Sequence, residues 1–501
     1  MGRLRVAIVG AGIVGCAIAR ELSRYENLDV IVIEREPDVG WGATKANTGI
    51  VHPGHEEDPD QHPLRARLCV EGNRLWREWA RELDIPIKFP GELMLFFSEE
   101  ERKRAQRFVE LAKRNGVPEV RIVDGEELRV LEPAASPRAI GAVWAPTAGV
   151  VNPIQAAIAM IENAVDNGAR LLVETEVKRV RVESGKVVGV ETSRGFIEAD
   201  IVINAAGIHA DEISASAGID TFRIWPRKGQ YVVFDRLAQP KPTRVLHTVP
   251  TPITKGVYAV TTTEGNLMIG PTAEDLPPDR KWDTSTTREG VEYVLREGSK
   301  LLERLPPRRL VIKTFAGLRP EPTTRDFVVE AYQKPWGFIN AAGTRSPGLT
   351  AAPAIAKLVA KLIAEELGVE LVEKRGWRRF RRGIERVRDA PWPKLVELVK
   401  RDPMYGWIIC RDEMVSAAEV IEAVKRIQRI GARVTLDGVR FRTWLGMGRC
   451  QGSFCRVATA MLLSKVLGVK PFEITLRGKG SEYAVGDVKA LWRERLGERR
   501  T

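Results

Sequence analysis

The 501-residue sequence predicts an α/β protein with a parallel sheet at its centre. Three observations carry that prediction. The stretch RVAIVGAGIVGCAIARELSRYENLDVIVIE, from Arg5 to Glu34, reads strand, glycine turn, helix, strand, acid. DIVINAAGIHAD, from Asp200, repeats strand, small-residue turn, helix. NAAGTRSPGLTAAPAIAKLVAKLIAEEL, from Asn340 to Leu367, is a glycine loop feeding a long apolar helix.

The first stretch is the most informative. Val6, Ile8 and Val9 form the short apolar run of a buried parallel strand. Gly10, Gly12 and Gly15 fill the G-x-G-x-x-G positions, with Ile13 and Val14 between them opening the helix. Such glycines allow a tight turn, close approach of a pyrophosphate and close helix–strand packing, while free N–H groups at the helix start face the phosphates. Val30 to Ile33 supplies the second strand, and Glu34 follows it, placed to accept ribose hydroxyls. This is a Rossmann-type dinucleotide site. The acid, with only Arg35 as a basic neighbour, favours FAD or NAD over NADP.

Length allows about three domains. No apolar run approaches the roughly 20 residues of a membrane-spanning helix. The first strand begins almost at the N-terminus, which leaves no room for a leader and points to a cytoplasmic protein. The net charge of +12 suits anionic cofactors and substrates, and would also suit an acidic membrane surface. No nucleic-acid motif accompanies it. Of five cysteines, Cys16 and Cys69 lie in apolar helical contexts, whereas Cys410, Cys450 and Cys455 cluster late in the chain and suggest metal chemistry.

Between these landmarks the elements follow in order. WGATKANTGIVHPGHEED (41–58) is a long loop of donors, about twice the usual connection length. Residues 62–83 read as a helix, 92–97 as a strand and 99–115 as a polar helix. Asn152 and Pro153 open another helix at cap and first-turn positions. Strands are expected at 170–174, 177–183 and 187–192. Residues 221–235 and 255–270 are β-rich, a helix spans 288–304, and a strand from Leu310 leads into FAGLRPEPTTRD. Residues 377–388 are basic and aromatic, and 403–470 read as a separate small unit with a charged tail behind it.

GAGIVG, TGIVHPG, ARLCVEGNRLW, VINAAGIHAD, EGNLMIGPTAED, AGLRPEPTTRD and GTRSPGLTAAPAIA together resemble the FAD-dependent D-amino-acid-oxidase-like superfamily. The resemblance covers about residues 3–367 and is closest to its glycerol-3-phosphate dehydrogenase and L-2-hydroxyglutarate dehydrogenase branch. Residues 403–470 are similar to the bacterioferritin-associated-ferredoxin type of 2Fe-2S domain. The resemblance implies a discontinuous FAD-binding domain (1–90, 148–220 and 315–368) and a β-rich α+β substrate cap (91–147 and 221–314). A basic linker (369–402), a small, mostly helical iron–sulfur-type domain (403–470) and a tail (471–501) would complete the chain. It further implies that Thr44, Asn47 and Thr48 line the pyrophosphate and flavin, and that Val177 touches the adenine. Ala206 and Gly207 would return the sheet to the cofactor, and Gly343, Ser346, Gly348, Leu349 and Thr350 would hold the pyrimidine end. The helix beginning near Gly348 would direct its positive end at the flavin.

Within that frame, Arg319 matches the position whose guanidinium binds the substrate's anionic group; the bland reading is an ion pair with Glu321 or Asp326. His52 is the candidate base, because imidazole titrates near neutrality, or else a loop histidine packed on the ring. Lys255 is a second cation or base, or a solvent-facing lysine. His209 reads as a cap or packing residue. Cys410, Cys450 and Cys455 match the cluster pattern, but Asp412 stands where the second cysteine belongs, leaving open an oxygen-ligated cluster, another metal or a fold without metal.

The expectation is an FAD enzyme oxidising glycerol 3-phosphate to dihydroxyacetone phosphate. Electrons would pass to a partner flavoprotein or quinone, through one 2Fe-2S cluster if it is present. The open alternatives are a 2-hydroxy acid such as 2-hydroxyglutarate, a proline-like amino acid, or an electron-transfer component of a hetero-oligomer. In the last case the basic linker would meet an acidic partner or the inner face of the membrane.

Overall fold

The computed structural model describes residues 3–250 and 256–497. They fall into two compact units, one within Met1–Arg35 and Val39–Gly383, the other within Glu36–Asp38 and Ile384–Thr501. No described helix is long and apolar enough to cross a membrane.

In the first unit, the opening strand Leu4–Val9 lies between two parallel neighbours. Val6 sits opposite Val30 of Leu28–Ile33 on one side and Ile201 of Ile201–Asn204 on the other. The sheet continues through Trp336–Ala342 to the hairpin Val177–Glu183/Lys186–Thr192, and on the other edge to Arg170–Leu172. Val6, Ile8, Val32, Ile203 and Phe338 are all buried, as expected for strands covered on both faces. The glycine helix Ile13–Leu22 packs between the helices Pro153–Asp166 and Gly348–Glu365. Asp200 staples the strand edge: its carboxylate accepts the Arg5 amide at 2.8 Å and the Arg5 guanidinium at 2.8 and 3.1 Å.

A second, mixed sheet joins segments far apart in sequence. Val245–Thr248 pairs parallel with Glu92–Phe96 and antiparallel with Tyr258–Thr261. Val311–Pro322 pairs with Ile224–Phe234 along almost its whole length, setting Arg227 opposite Arg319. This sheet therefore runs past the boundary at 314 drawn from sequence, because one continuous strand carries the chain on to Pro322. Leu93, Leu95, Val232, Phe234 and Ile269 form its dry core with the helix Arg288–Leu301.

Residues 369–383 belong to the first unit and are not a free linker. The Arg381 guanidinium meets Glu162 at 2.8 Å and the Leu83 carbonyl at 3.0 Å, and Arg379 pairs with Glu78 and Glu82. Arg20 packs over Trp79 at 4.1 Å and Trp377 at 5.4 Å. Trp377, Arg379 and Arg381 are thus engaged within this unit, while Arg378, Phe380 and Arg382 remain exposed.

The second unit is mostly helical. A short ladder, Ile408–Cys410 with Val415–Ser416, leads into the helix Ala417–Arg429 through a capping box of Ser416 and Glu419. Helices Leu436–Thr443 and Cys455–Leu467 follow.

Candidate active site

The nucleotide turn is built as the fingerprint requires. A Cβ on Gly15 would lie 2.0 Å from the Gly10 carbonyl oxygen, so backbone occupies that space. Gly12 is the opposite case: its nearest neighbour would be Thr44 Oγ1 at 3.5 Å, which leaves the cradle open for a phosphate. Thr44 Oγ1 accepts the Ile13 N–H at 2.9 Å, and Glu34 accepts the Ala11 N–H at 2.7 Å. These bonds fix the carboxylate and hydroxyl against the turn, and Arg35 is exposed beside it. The donor set and the open cradle fit FAD.

The remaining cofactor candidates divide by role. Asn47 closes its own loop, donating to the carbonyls of Ala43 and Thr44 and accepting the Gly49 N–H; its amide shapes the segment carrying Thr44 and the half-buried Thr48. Val177 sits at the end of a strand, opposite Thr192. The Ala206 amide bonds to Asn204, and Gly207 leaves open space on its Cβ side. Gly343 packs on Pro322, where the two sheets approach one another. Ser346 precedes a cis Pro347 at the entrance of the helix Gly348–Glu365. The carbonyls of Leu349 and Thr350 accept the Trp76 indole N–H at 3.2 and 3.1 Å.

Thr350 also ties the start of the helix Gly348–Glu365 to the candidate base. Its hydroxyl accepts the His52 N–H at 2.9 Å, and the His52 carbonyl accepts Asn73 at 3.0 Å, so the residue is gripped on both sides. The His52 ring is buried and meets Tyr258 edge-on, centroids 6.0 Å apart. Tyr258 stacks on His247 at 4.6 Å, and its hydroxyl is buried without a hydrogen-bond partner among the described residues. Burial first, then the charges of Glu56, Glu92 and Glu57, push its ionisation well above the usual phenol value, so it stays neutral. Around it are His55 with Glu92 at 3.4 Å, and His247 with Glu56 at 3.7 Å and Glu92 at 4.0 Å. Sequence reasoning missed this group apart from His52. The run HPGHEE was the only signal, and its partners come from strands some 40 to 200 residues away. Lys255 lies outside the described residues.

Arg319 is half-buried on the Val311–Pro322 strand. Its Nη2 donates to the Thr272 carbonyl at 2.7 Å and its Nε to the Arg227 carbonyl at 3.5 Å. The two acids named as structural partners are engaged elsewhere. Glu321 pairs with Arg345 at 2.9 Å and Arg227 at 3.6 Å. Asp326 accepts the N–H groups of Leu64 and Arg65, capping the helix Pro63–Leu83. Among the described residues Arg319 has no ion pair. Desolvation lowers its pKa below the usual guanidinium range, which an incoming anion would offset. His209 bonds Glu212, a local contact.

The family of FAD dependent oxidoreductases matches residues 5–362. The chain belongs to that family. This FAD dependent oxidoreductase is similar to a glycerol 3-phosphate dehydrogenase of Caloramator mitchellensis, 38% identical over 97% of this chain and 99% of the relative. It is also similar to one of the subunits of the anaerobic glycerol-3-phosphate dehydrogenase of Escherichia coli K12, 26% identical over 97% of this chain and 92% of that one. Among solved structures it resembles dithionite-reduced L-alpha-glycerophosphate oxidase from Mycoplasma pneumoniae with FAD bound. There the TM-score is 0.70 at 28% identity, covering 76% of this chain and 98% of that chain.

The C-terminal residues expected as metal ligands lie near one another. Cys410 and Cys455 are buried, and Cys450 is half-buried. The Gly446 amide donates to Cys410 Sγ at 3.5 Å. Contact with Cys455, together with the amides of Gly446, Glu413 and Asp412, brings the Cys410 thiol down to about 6 and pushes Cys455 up. Asp412 Oδ2 accepts the Cys450 amide at 3.0 Å. Among the described residues no group of three or more His, Cys, Asp or Glu is arranged to hold a metal ion. The Asp412 carboxylate here faces a backbone amide.

Proposed function

We propose that this oxidoreductase converts glycerol 3-phosphate to dihydroxyacetone phosphate. FAD, when bound, supplies the acceptor for the hydride leaving C2 of the alcohol. Arg319 binds the phosphate; its planar fork offers donors that the Thr272 and Arg227 carbonyls do not occupy. His52, held by Thr350 and Asn73, takes the hydroxyl proton as the carbonyl forms. Tyr258 keeps its proton and offers the cleft a neutral hydroxyl. The observation that carries this reading is the half-buried Arg319 without a carboxylate partner, in a chain so similar over its whole length to a glycerol 3-phosphate dehydrogenase.

The electrons then pass to an acceptor other than oxygen, either a quinone or a partner protein; the similarity to one component of a multi-subunit dehydrogenase supports the second. The reaction at the flavin does not call on the C-terminal cysteines, and the iron content of anaerobically purified protein tests whether they carry a 2Fe-2S centre. Turnover with an artificial dye tests the substrate. Glycerol 3-phosphate is expected to outrun 2-hydroxyglutarate and proline, and Arg319→Gln is expected to lower kcat/KM by about 10- to 100-fold. Preference for either alternative substrate would overturn the reading.

A further inference from the structure

A second guanidinium, near enough to Arg319 to feel its charge, goes unused by the proposed reaction. Arg345 lies in the turn between the strand Trp336–Ala342 and the helix Gly348–Glu365. Its Nη1 meets Glu321 Oε1 at 2.9 Å. Glu321 stands two residues beyond Arg319 on one strand, and residues two apart share a face. Arg319 and the partner that holds Arg345 therefore project to the same side. The Arg345 Nε–H is buried with no hydrogen-bond partner among the described residues. Burial holds this guanidinium down to about 10, outweighing Glu321, with Arg65 and Arg319 lowering it further and Glu57 opposing them. Arg65 and Arg227 pair with Glu57 and Asp275, whereas Arg319 has no carboxylate partner among the described residues and Arg345 keeps an unsatisfied Nε–H beside Glu321.

We propose that Arg345 is the second arm of a dianion clamp and determines specificity for a phosphate monoester over a carboxylate. A carboxylate offers one planar pair of oxygens, which a single guanidinium fork matches. A phosphate dianion offers three oxygens in a pyramid and a second charge, which calls for a second fork at an angle to the first. Glu321 orients Arg345 for that task by occupying Nη1 and leaving the Nε edge toward the anion. The inference rests on glycerol 3-phosphate being the substrate, and its test separates the two.

The experiment is anaerobic reduction of the FAD-loaded protein by glycerol 3-phosphate, followed at the flavin band from pH 5 to 8, for the wild type, Arg345→Gln and Arg345→Lys. Arg345→Gln is expected to weaken apparent binding by about 10- to 100-fold while the limiting rate changes by less than about threefold. Arg345→Lys should recover part of the loss. Wild-type affinity should fall below about pH 6, where the second phosphate ionisation reverses, and Arg345→Gln should flatten that dependence. Selectivity for glycerol 3-phosphate over 2-hydroxyglutarate should narrow in parallel. Wild-type affinity and pH profile retained in Arg345→Gln would overturn the clamp; if that variant holds no flavin, unchanged affinity in Arg345→Lys would do so. Failure of glycerol 3-phosphate to bleach the wild type would instead overturn the substrate assignment.

Discussion

Two glycine-rich loops in this chain each run into a helix, and they have fared differently. In the nucleotide turn, Gly10, Gly12 and Gly15 precede Ile13–Leu22, and the groups around them still serve a dinucleotide: Thr44 holds Ile13, and Glu34 holds Ala11. In the cysteine loop, Gly446, Gly448 and Gly452 precede Cys455–Leu467, and Asp412 stands beside the three cysteines. A Cβ on Gly448 would lie 2.3 Å from Asp412 Oδ2 and 2.5 Å from Glu413 Oε1. The first loop keeps an opening beside Gly12, and the second fills the space beside Gly448 with carboxylates.

That contrast can be broken or sharpened by substitution. The largest effect is expected for Gly15→Ala, which puts a methyl group against a backbone oxygen. It should cost about 3 kcal/mol or more and give protein without yellow colour, measured by thermal unfolding and FAD content. Asp412→Cys supplies a fourth thiolate. Anaerobic purification should then yield more iron and a stronger visible charge-transfer shoulder than the wild type, and a variant with no more iron than wild type would show that the fourth ligand does not limit the loop. Gly452→Ala should cost only about 1–2 kcal/mol, all from its left-handed backbone at φ +86°, since the nearest atoms belong to the flexible end of Arg456.

The smallest effect belongs to the start of two central strands of the nucleotide-binding sheet. Hydrogen bonds from Arg5 hold the Asp200 carboxyl below its usual value. A lowered carboxylate pKa stabilises the fold above the unfolded value, near 3.9, and that stability is lost as pH falls through the folded value. Asp200→Asn should therefore cost about 1 kcal/mol at neutral pH, after allowance for solvent screening of a partly exposed pair. The difference from wild type should shrink in unfolding curves taken below about pH 3.

Much of the fold was legible because local signals and burial agree. The fingerprint lies in the sheet position it implies, Glu99–Asn115 forms as read, and Asn152 caps Pro153–Asp166 through the Gln155 amide. The helix Gly125–Leu131 was missed although Asp124 caps it twice, because one short turn carries too little periodicity. The candidate site was legible only at its ends. His52 and Arg319 sit in recognisable motifs, whereas Tyr258, His247, Glu92 and Arg345 matter through neighbours on distant strands. Asp326 shows the same limit: it looked like a partner for Arg319 and instead caps a helix more than 250 residues earlier in the chain.

One titration bears most directly on the central claim, that a bound flavin faces a cleft whose unpaired guanidinium takes a phosphate ester. Glycerol 3-phosphate is added without oxygen to the purified yellow protein while the flavin band and dihydroxyacetone phosphate are followed together. The account predicts that one equivalent bleaches the band and yields one equivalent of product. A band that stays intact with glycerol 3-phosphate but bleaches with 2-hydroxyglutarate or proline would contradict it.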